Sequence, residues 1–188
     1  YTGTIFELQQ IKQKQYNRDY LLLNIGVNIL GEDMTDKLMS IMRGQLGDTF
    51  NTYGVNAYQQ PLDDLTNNLT LFVVVGTYTH EEKPGDFKKK ILEIIEETSD
   101  KLSQEEVKNK IISMIQKRAQ AMGTAKSSLQ MYHKERLLQV SPSDYVDQLK
   151  QIQENLEQST KRIKDLMKNF MVNPYTVIMT PHNTPHNM

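Results

Sequence analysis

The sequence predicts an α+β fold with two layers, in which helices pack on a mostly antiparallel sheet. Two strand-like runs follow one another at residues 50–58 and 69–79, and another closes the chain at 175–180. Between the last two runs, apolar residues recur at helical spacing almost without interruption. Consecutive strands favour hairpin pairing, and helices grouped apart from the strands are typical of this fold class.

A short strand and a long helix are predicted first. Residues 4–8 form the strand candidate, and Asn17 or Asp19 is expected to cap a helix that ends at Gly31. Gly26 lies inside this helix, where a glycine lowers helix propensity and indicates close packing against a neighbour.

A helix-to-strand corner follows, and the rest of the chain is predicted to be organised around it. The second helix should begin at Asp33 or Thr35 and end near Gly47, because glycine accepts the left-handed cap at little cost. Phe50 then opens the first long strand. Arg43 falls near the end of the helix. There it can hold a peptide carbonyl or carboxylate beside the strand edge, or be a surface arginine that the helix dipole favours.

The second half is predicted to be a series of helices with start and stop signals. Asp86 is expected to cap the first helix, and residues 103–106 form a capping box for the next. A break near Gly123 precedes a further helix, the stretch 141–144 starts another, and Thr160 is expected to cap the last. The predicted helix-on-sheet core consists of Leu71, Val73, Val75, Ile94, Ile111, Ile115, Leu149 and Leu166.

Composition narrows the class of protein. Lys and Arg number 22 against 23 Asp and Glu, a balance that does not point to nucleic acid as a partner. Cysteine is absent, which excludes a disulfide scaffold, a thiolate zinc site and a cysteine nucleophile. No apolar run approaches the roughly 20 residues of a membrane-spanning helix.

A single domain, residues 1–181, with a polar tail at 182–188, is predicted from the length and from the composition of the last residues. The chain begins at Tyr1 without a signal-peptide pattern, so a piece of a longer polypeptide is expected. Cytoplasmic, periplasmic and organellar locations are all compatible with this sequence.

The corner resembles a known family. Residues 29–31, 38–39 and 42–50 are similar, in order, to the stretch L-G…S-x-x-L-x-x-x-L-R-E-x-L-G-x-x-Y of the insulysin, pitrilysin and mitochondrial processing peptidase family of zinc metallopeptidases. The capping box at 103–106 and the closing stretch at 173–181 resemble weaker family features in the same order. The resemblance covers roughly the whole chain, and it implies a processing-peptidase-like domain of the C-terminal half.

Family enzymes pair such domains into a chamber, and the other half carries the zinc motif H-x-x-E-H. In these enzymes the half without the zinc motif carries an arginine and, seven residues later, a tyrosine, and both side chains reach the substrate. Carried over, the arginine falls on Arg43 and the tyrosine position falls on Phe50. Phenylalanine cannot donate a hydrogen bond to a developing oxyanion. The resemblance therefore implies substrate-binding roles for Arg43 and Phe50 and no catalytic residue in this chain.

The histidines do not supply a zinc motif. His182 and His186 have the i, i+4 spacing of helical metal ligands, but Pro185 breaks a helix there and stands where the motif needs its glutamate. His80 and His133 occur singly. No metal site is expected in this chain, and zinc is expected in a partner domain.

The resemblance implies a zinc-less domain that closes the chamber and binds extended peptide for proteolysis at a partner's zinc site. The partner would be an H-x-x-E-H domain of the same polypeptide or of another subunit, and this chain alone is expected to be inactive. Two alternatives stay open: a non-catalytic scaffold or interaction module of the same family, which Phe50 favours, and a generic α+β binding domain with an accidental similarity. An H-x-x-E-H motif elsewhere in the parent sequence would support the peptidase.

Overall fold

The computed structural model describes residues 2–7, 13–31, 36–45, 55–63, 69–77, 84–137, 144–170 and 175–178. The strands are β1 (Thr2–Glu7), β2 (Val55–Asp63), β3 (Leu69–Thr77) and β4 (Tyr175–Ile178). The helices are α1 (Gln13–Gly31), α2 (Lys37–Met39), α3 (Pro84–Lys101), α4 (Gln104–Ala121), α5 (Ala125–Leu137), α6 (Asp144–Glu154) and α7 (Leu156–Phe170). A π-helical segment, Ser40–Gln45, directly follows α2.

The backbones of the four strands pair in the order β2-β3-β1-β4, and each neighbouring pair is antiparallel. One row of partners crosses all four strands: Ala57 lies opposite Val75, Val75 opposite Thr4, and Thr4 opposite Thr176. The strand at the end of the chain therefore pairs with the strand at its beginning.

The predicted fold class, two layers with helices packed on a sheet, is wrong for the described core. Of the residues whose side chains the structure describes, 92% are helical, and their core is packed helix on helix. The physical reason is the second half of α1, which is buried on nearly every side and is mostly apolar. Its buried apolar residues are Tyr20, Leu21, Leu22, Leu23, Ile25, Val27, Ile29 and Leu30. Such a helix has to be enclosed rather than laid with one face on a sheet. Helices α2, α4, α6 and α7 contact it, and β2 meets its C-terminal end.

The helical members of the predicted core lie in the core that the structure describes. Ile94, Ile111, Leu149 and Leu166 are buried, and Ile115 packs against them half-buried. The side chains of the strand members, Leu71, Val73 and Val75, lie outside the described ones. Among the described helices, none is both long and apolar enough to cross a membrane.

The capping box is confirmed in atomic detail. The backbone N–H of Glu106 donates to the Ser103 hydroxyl at 3.2 Å, and the Ser103 N–H donates to the Glu106 carboxylate at 2.9 Å. The break near Gly123 is also confirmed, since α4 ends at Ala121 and Ser127 N–H donates to the Thr124 hydroxyl as α5 begins.

Three other predicted caps are wrong. Helix α1 begins at Gln13, so Asp19 lies inside it and accepts two hydrogen bonds from the Arg162 guanidinium, at 3.0 and 2.8 Å. Thr160 lies inside α7, where its hydroxyl is buried with no hydrogen-bond partner in the described part of the chain. Helix α3 begins at Pro84, which places Asp86 within its first turn.

Candidate functional site at the π-helical corner

Arg43 lies in the last turn of the π-helical segment 40–45, and its side chain is exposed. The preceding residue, Met42, is fully buried. The Met42 side chain therefore fixes the segment on the core while Arg43 stays open to solvent. Among the described residues the guanidinium makes no hydrogen bond or ion pair. Segments of π-helix are rare and are frequently found at functional sites.

Two ion pairs tie the start of α2, just before this segment, to α4. The Lys110 ammonium donates to the Asp36 carboxylate at 2.6 Å, and both side chains are close to nine-tenths buried. Lys37 pairs with Glu106 at 2.8 Å, nearer the surface. Asp36 also accepts the Ser40 N–H on its carbonyl at 2.9 Å, which joins α2 to the π-helical segment.

Gly31 brings α1 against the same corner. A Cβ added at Gly31 would lie 3.0 Å from the Ala57 backbone nitrogen and 3.2 Å from Leu38 Cδ1. The end of α1, the Leu38 side chain of α2 and the backbone of β2 therefore lie so close together that only a glycine fits at position 31 without displacing a neighbour. Leu38 is fully buried at this junction. The base of the segment that carries Arg43 is thus held by α1, α4 and β2.

The charge on Glu106 is stabilised where α2 meets α4. Burial alone would raise the pKa of this carboxyl. The hydrogen bonds from the Lys37 ammonium and from the backbone and hydroxyl of Ser103 outweigh burial, so the pKa is lowered from its ordinary value. The carboxylate is therefore charged at neutral pH, as its ion pair with Lys37 requires.

The structure places one of the two predicted site residues. Arg43 is near a helical C-terminus, as the sequence predicts, but the helix begins at Lys37 rather than at Asp33 or Thr35. Phe50 and Gly47 lie outside the described residues, so the predicted pairing of Phe50 with Arg43 stays a prediction.

Sequence reasoning missed the ion pairs that support the corner. Asp36 and Lys110 are 74 residues apart, and no local pattern connects them. Glu106 was identified only as a capping residue, although the same carboxylate also binds Lys37. The capping box itself indicates this second role. Ser103 binds only one carboxylate oxygen of Glu106, so the other oxygen is available to a neighbouring side chain.

The described side chains do not include a set of ligands for zinc. Among the described residues, no three His, Cys, Asp or Glu side chains are grouped so as to hold a metal. The sequence contains no H-x-x-E-H, and the side chains of all four histidines lie outside the described ones.

No protein-family model matches the sequence, and no curated protein matches it. Solved structures do. A protease from Helicobacter pylori has a TM-score of 0.69 at 14% identity, over 96% of this chain and 41% of that one. An inactive peptidase domain from Bordetella parapertussis has a TM-score of 0.67 at 14% identity, over 98% of this chain and 93% of that one. An M16-like peptidase from Alicyclobacillus acidocaldarius has a TM-score of 0.66 at 13% identity, over 93% and 39%.

The similar structures differ in the share of their own length that this chain covers. The chain spans about two fifths of the Helicobacter and Alicyclobacillus chains but nearly all of the Bordetella domain. The resemblance indicated by the corner sequence is thus confirmed at the level of the fold: the chain has the fold of M16-like peptidase domains, including an inactive one.

Proposed function

We propose that the chain is the zinc-less, C-terminal domain of an M16-like zinc peptidase. It would close one wall of the substrate chamber and hold extended peptide against the zinc site of an H-x-x-E-H partner domain. The observation that carries the proposal is the exposed Arg43 on a π-helical segment whose base is fixed by buried contacts. The similarity to an inactive peptidase domain supports it.

The chemistry of Arg43 suits an extended peptide. A guanidinium stays charged at any physiological pH and presents five N–H donors in a planar fork, which matches a carboxylate or adjacent carbonyl oxygens. Extended peptide leaves its backbone carbonyls unpaired and therefore available. A hydrogen bond from a charged donor contributes roughly 1.5–3 kcal/mol when it replaces water. Arg43 would thus bind the peptide or polarise a carbonyl, while hydrolysis belongs to the partner domain.

Phe50 is the second substrate-binding residue of the proposal. It follows Arg43 by seven residues, the spacing of the family's arginine and tyrosine. As a phenylalanine it would offer the peptide an apolar contact and no hydrogen bond. Phe50→Tyr should raise catalytic efficiency only if the ring already faces the substrate.

The test is steady-state kinetics on the parent enzyme. Arg43→Ala should lower kcat/KM by about ten- to a hundredfold, because it removes a hydrogen bond that contributes roughly 1.5–3 kcal/mol. About 1.4 kcal/mol corresponds to each tenfold change in kcat/KM. Arg18→Ala is the matched control, since Arg18 is also exposed but lies in α1, about 20 Å along the helix from Gly31. If both variants keep full activity, the corner does not touch substrate, and the scaffold alternative replaces this proposal.

A further inference from the structure

The two ion pairs between α2 and α4 have opposite polarity. Glu106 and Lys110 are one turn apart on α4, so they lie on one face of that helix. They bind two consecutive residues at the start of α2, since Lys110 pairs with Asp36 at 2.6 Å and Glu106 pairs with Lys37 at 2.8 Å. A cation of each helix therefore faces an anion of the other.

This order of charges favours a single register of α2 on α4. A shift of α2 by one residue in one direction would place Lys37 opposite Lys110. A shift in the other direction would place Asp36 opposite Glu106. Both arrangements bring like charges together, which is most unfavourable where water is excluded. The buried apolar contact of Leu38 does not select a register in this way, because the hydrophobic effect is not directional.

The buried member of the two pairs joins Asp36 to Lys110. Among the described residues, the Asp36 side chain makes no capping hydrogen bond to α2, although it stands at the N-cap position. Its carboxylate instead accepts the Lys110 ammonium, and the two side chains are 10% and 12% exposed. A buried ion pair is often no more stabilising than well-packed apolar side chains of similar volume, because both charges lose their hydration. Selecting a register is the best-attested use of such buried polar contacts.

Arg43 is joined to Asp36 by continuous helical backbone. The three residues of α2 and the six residues of the π-helical segment follow one another directly, and the Asp36 carbonyl accepts the Ser40 N–H. A helix this short is not stable in isolation, so its direction depends on tertiary contacts. Because an α-helix turns by about 100° per residue, a change of one residue in the register of α2 would turn Arg43 by roughly that angle.

We propose that Asp36 and Lys110 are positioning residues for peptide binding. Their buried ion pair would set the register of α2 on α4, and thereby the direction in which Arg43 meets an extended peptide. This inference rests on the proposed function, which assigns peptide binding to Arg43. A side chain that already points in its binding direction loses less freedom when the peptide binds. Asp36 and Lys110 themselves would not touch the peptide.

The alternative is that the pair only stabilises the domain, and a double variant of the parent enzyme separates the two roles. Apolar side chains can replace a buried ion pair with little loss of stability, so Asp36→Leu with Lys110→Met should unfold at a urea concentration close to that of the wild type. Its kcat/KM for a fluorogenic, unstructured peptide should nevertheless fall by about three- to tenfold, the effect of one long side chain that has to be ordered on binding. Wild-type kcat/KM in the folded double variant would overturn the proposal.

Asp36→Glu tests the same role without removing a charge. The longer carboxylate keeps the pair with Lys110 but has to displace α2 from α4 by about 1 Å, and a misplacement of that size is enough to reduce catalysis. We expect kcat/KM to fall by about threefold or more, whereas a pair that only stabilises the domain would tolerate the change. Unchanged kcat/KM in this variant would count against positioning.

A double-mutant cycle shows whether the pair acts through Arg43. In the Arg43→Ala background, Asp36→Leu with Lys110→Met should change kcat/KM by less than about twofold, because the direction of position 43 no longer matters without the guanidinium. The same three- to tenfold loss in both backgrounds would mean that the pair acts by another route, and this would overturn the proposal.

The matched control is an ion pair far from the corner. Asp19 and Arg162 join α1 to α7 at 2.8 Å, and Asp19 lies about 18 Å along α1 from Gly31. Asp19→Leu with Arg162→Met should leave kcat/KM within about twofold of the wild type. A loss as large as that of the Asp36 and Lys110 variant would indicate general loosening of the domain and would overturn the proposal.

The outcomes also separate this inference from the proposed function. If Arg43→Ala keeps full activity, the proposed function fails and the positioning role fails with it. If Arg43→Ala loses activity while the double variant and Asp36→Glu keep theirs, peptide binding by Arg43 stands and only the positioning role of Asp36 and Lys110 is wrong.

Discussion

At the scale of single residues, Gly26 allows α7 to pack directly on the backbone of α1. A Cβ at this position would lie 2.9 Å from Met167 Sδ and 3.1 Å from Ile163 Cγ2. Both neighbours are buried, so neither can turn out to solvent to make room. The close approach explains why a glycine occupies the interior of a helix where alanine would otherwise be preferred.

Replacing Gly26 tests this contact. Overpacking costs about 1–3 kcal/mol, and alanine regains about 1 kcal/mol of helix propensity. Gly26→Ala should therefore lower the free energy of unfolding by up to about 2 kcal/mol in urea melts. Gly44→Ala is the control, because a Cβ there meets nothing within 4 Å, and it should be neutral or stabilising. A stabilised Gly26→Ala variant would show that α1 and α7 are not this close.

At the scale of elements, the attachment of α2 to α4 depends on one buried and one exposed ion pair. Lys110→Met leaves the Asp36 carboxylate, whose side chain is 10% exposed, without its cation. Removing one partner of a buried pair costs about 3 kcal/mol. Lys37→Met breaks a pair that is 45% and 33% exposed, and it should cost under about 1 kcal/mol. Urea melts of the two variants measure how much free energy of unfolding each one loses. Equal losses would show that the Lys110–Asp36 pair is not a buried ion pair.

The same junction predicts a dependence on pH. Because the pKa of Glu106 is lower in the folded state than its ordinary value of 4.5, its contribution to stability is fully present above pH 4.5. The contribution is lost as the pH falls through the folded pKa. Glu106→Gln should therefore lose less stability than the wild type between about pH 6 and about pH 3. Glu105→Gln, which removes an exposed carboxyl from the same turn, is the matched control for the loss of one charge.

Local chemistry explains which parts of these elements could be predicted. The capping box at Ser103 and the close packing at Gly26 follow from residue types within a few positions, and both are present. Asp19 and Thr160 have the residue types of helix caps, yet one pairs with an arginine 143 residues away and the other lies inside a helix. A carboxylate that finds a distant cation does not need a helix N-terminus, and no short pattern reveals that choice.

At the scale of the whole molecule, the described core is a set of helices around α1, and this was the largest error of the sequence prediction. The sequence predicts a layer of helices on a sheet. The run from Tyr20 to Leu30 instead buries residues around the full circumference of α1. For the candidate site, the position and exposure of Arg43 could be anticipated from the helix-to-strand corner. The π-helical backbone and the buried pair beneath it could not, since both depend on tertiary packing.

The helical core makes a specific prediction for two adjacent isoleucines of α4. Ile111 is fully buried, whereas Ile112 is 38% exposed. Ile111→Ala should lower the free energy of unfolding by about 2–4 kcal/mol, because it removes buried methyl groups and leaves a cavity. Ile112→Ala should cost well under half of that. A loss below about half a kcal/mol at Ile111 would mean that α4 does not pack as described.

An equilibrium measurement shows whether Arg43 binds peptide. The parent enzyme, freed of zinc with a chelator so that it cannot cleave, would be titrated against a fluorescent, unstructured peptide. Fluorescence anisotropy would give the Kd for the wild type, Arg43→Ala and the control Arg18→Ala. We expect Arg43→Ala to weaken binding by about ten- to a hundredfold and Arg18→Ala to leave it unchanged. A Kd for Arg43→Ala within about twofold of the Arg18→Ala value would contradict peptide binding by Arg43.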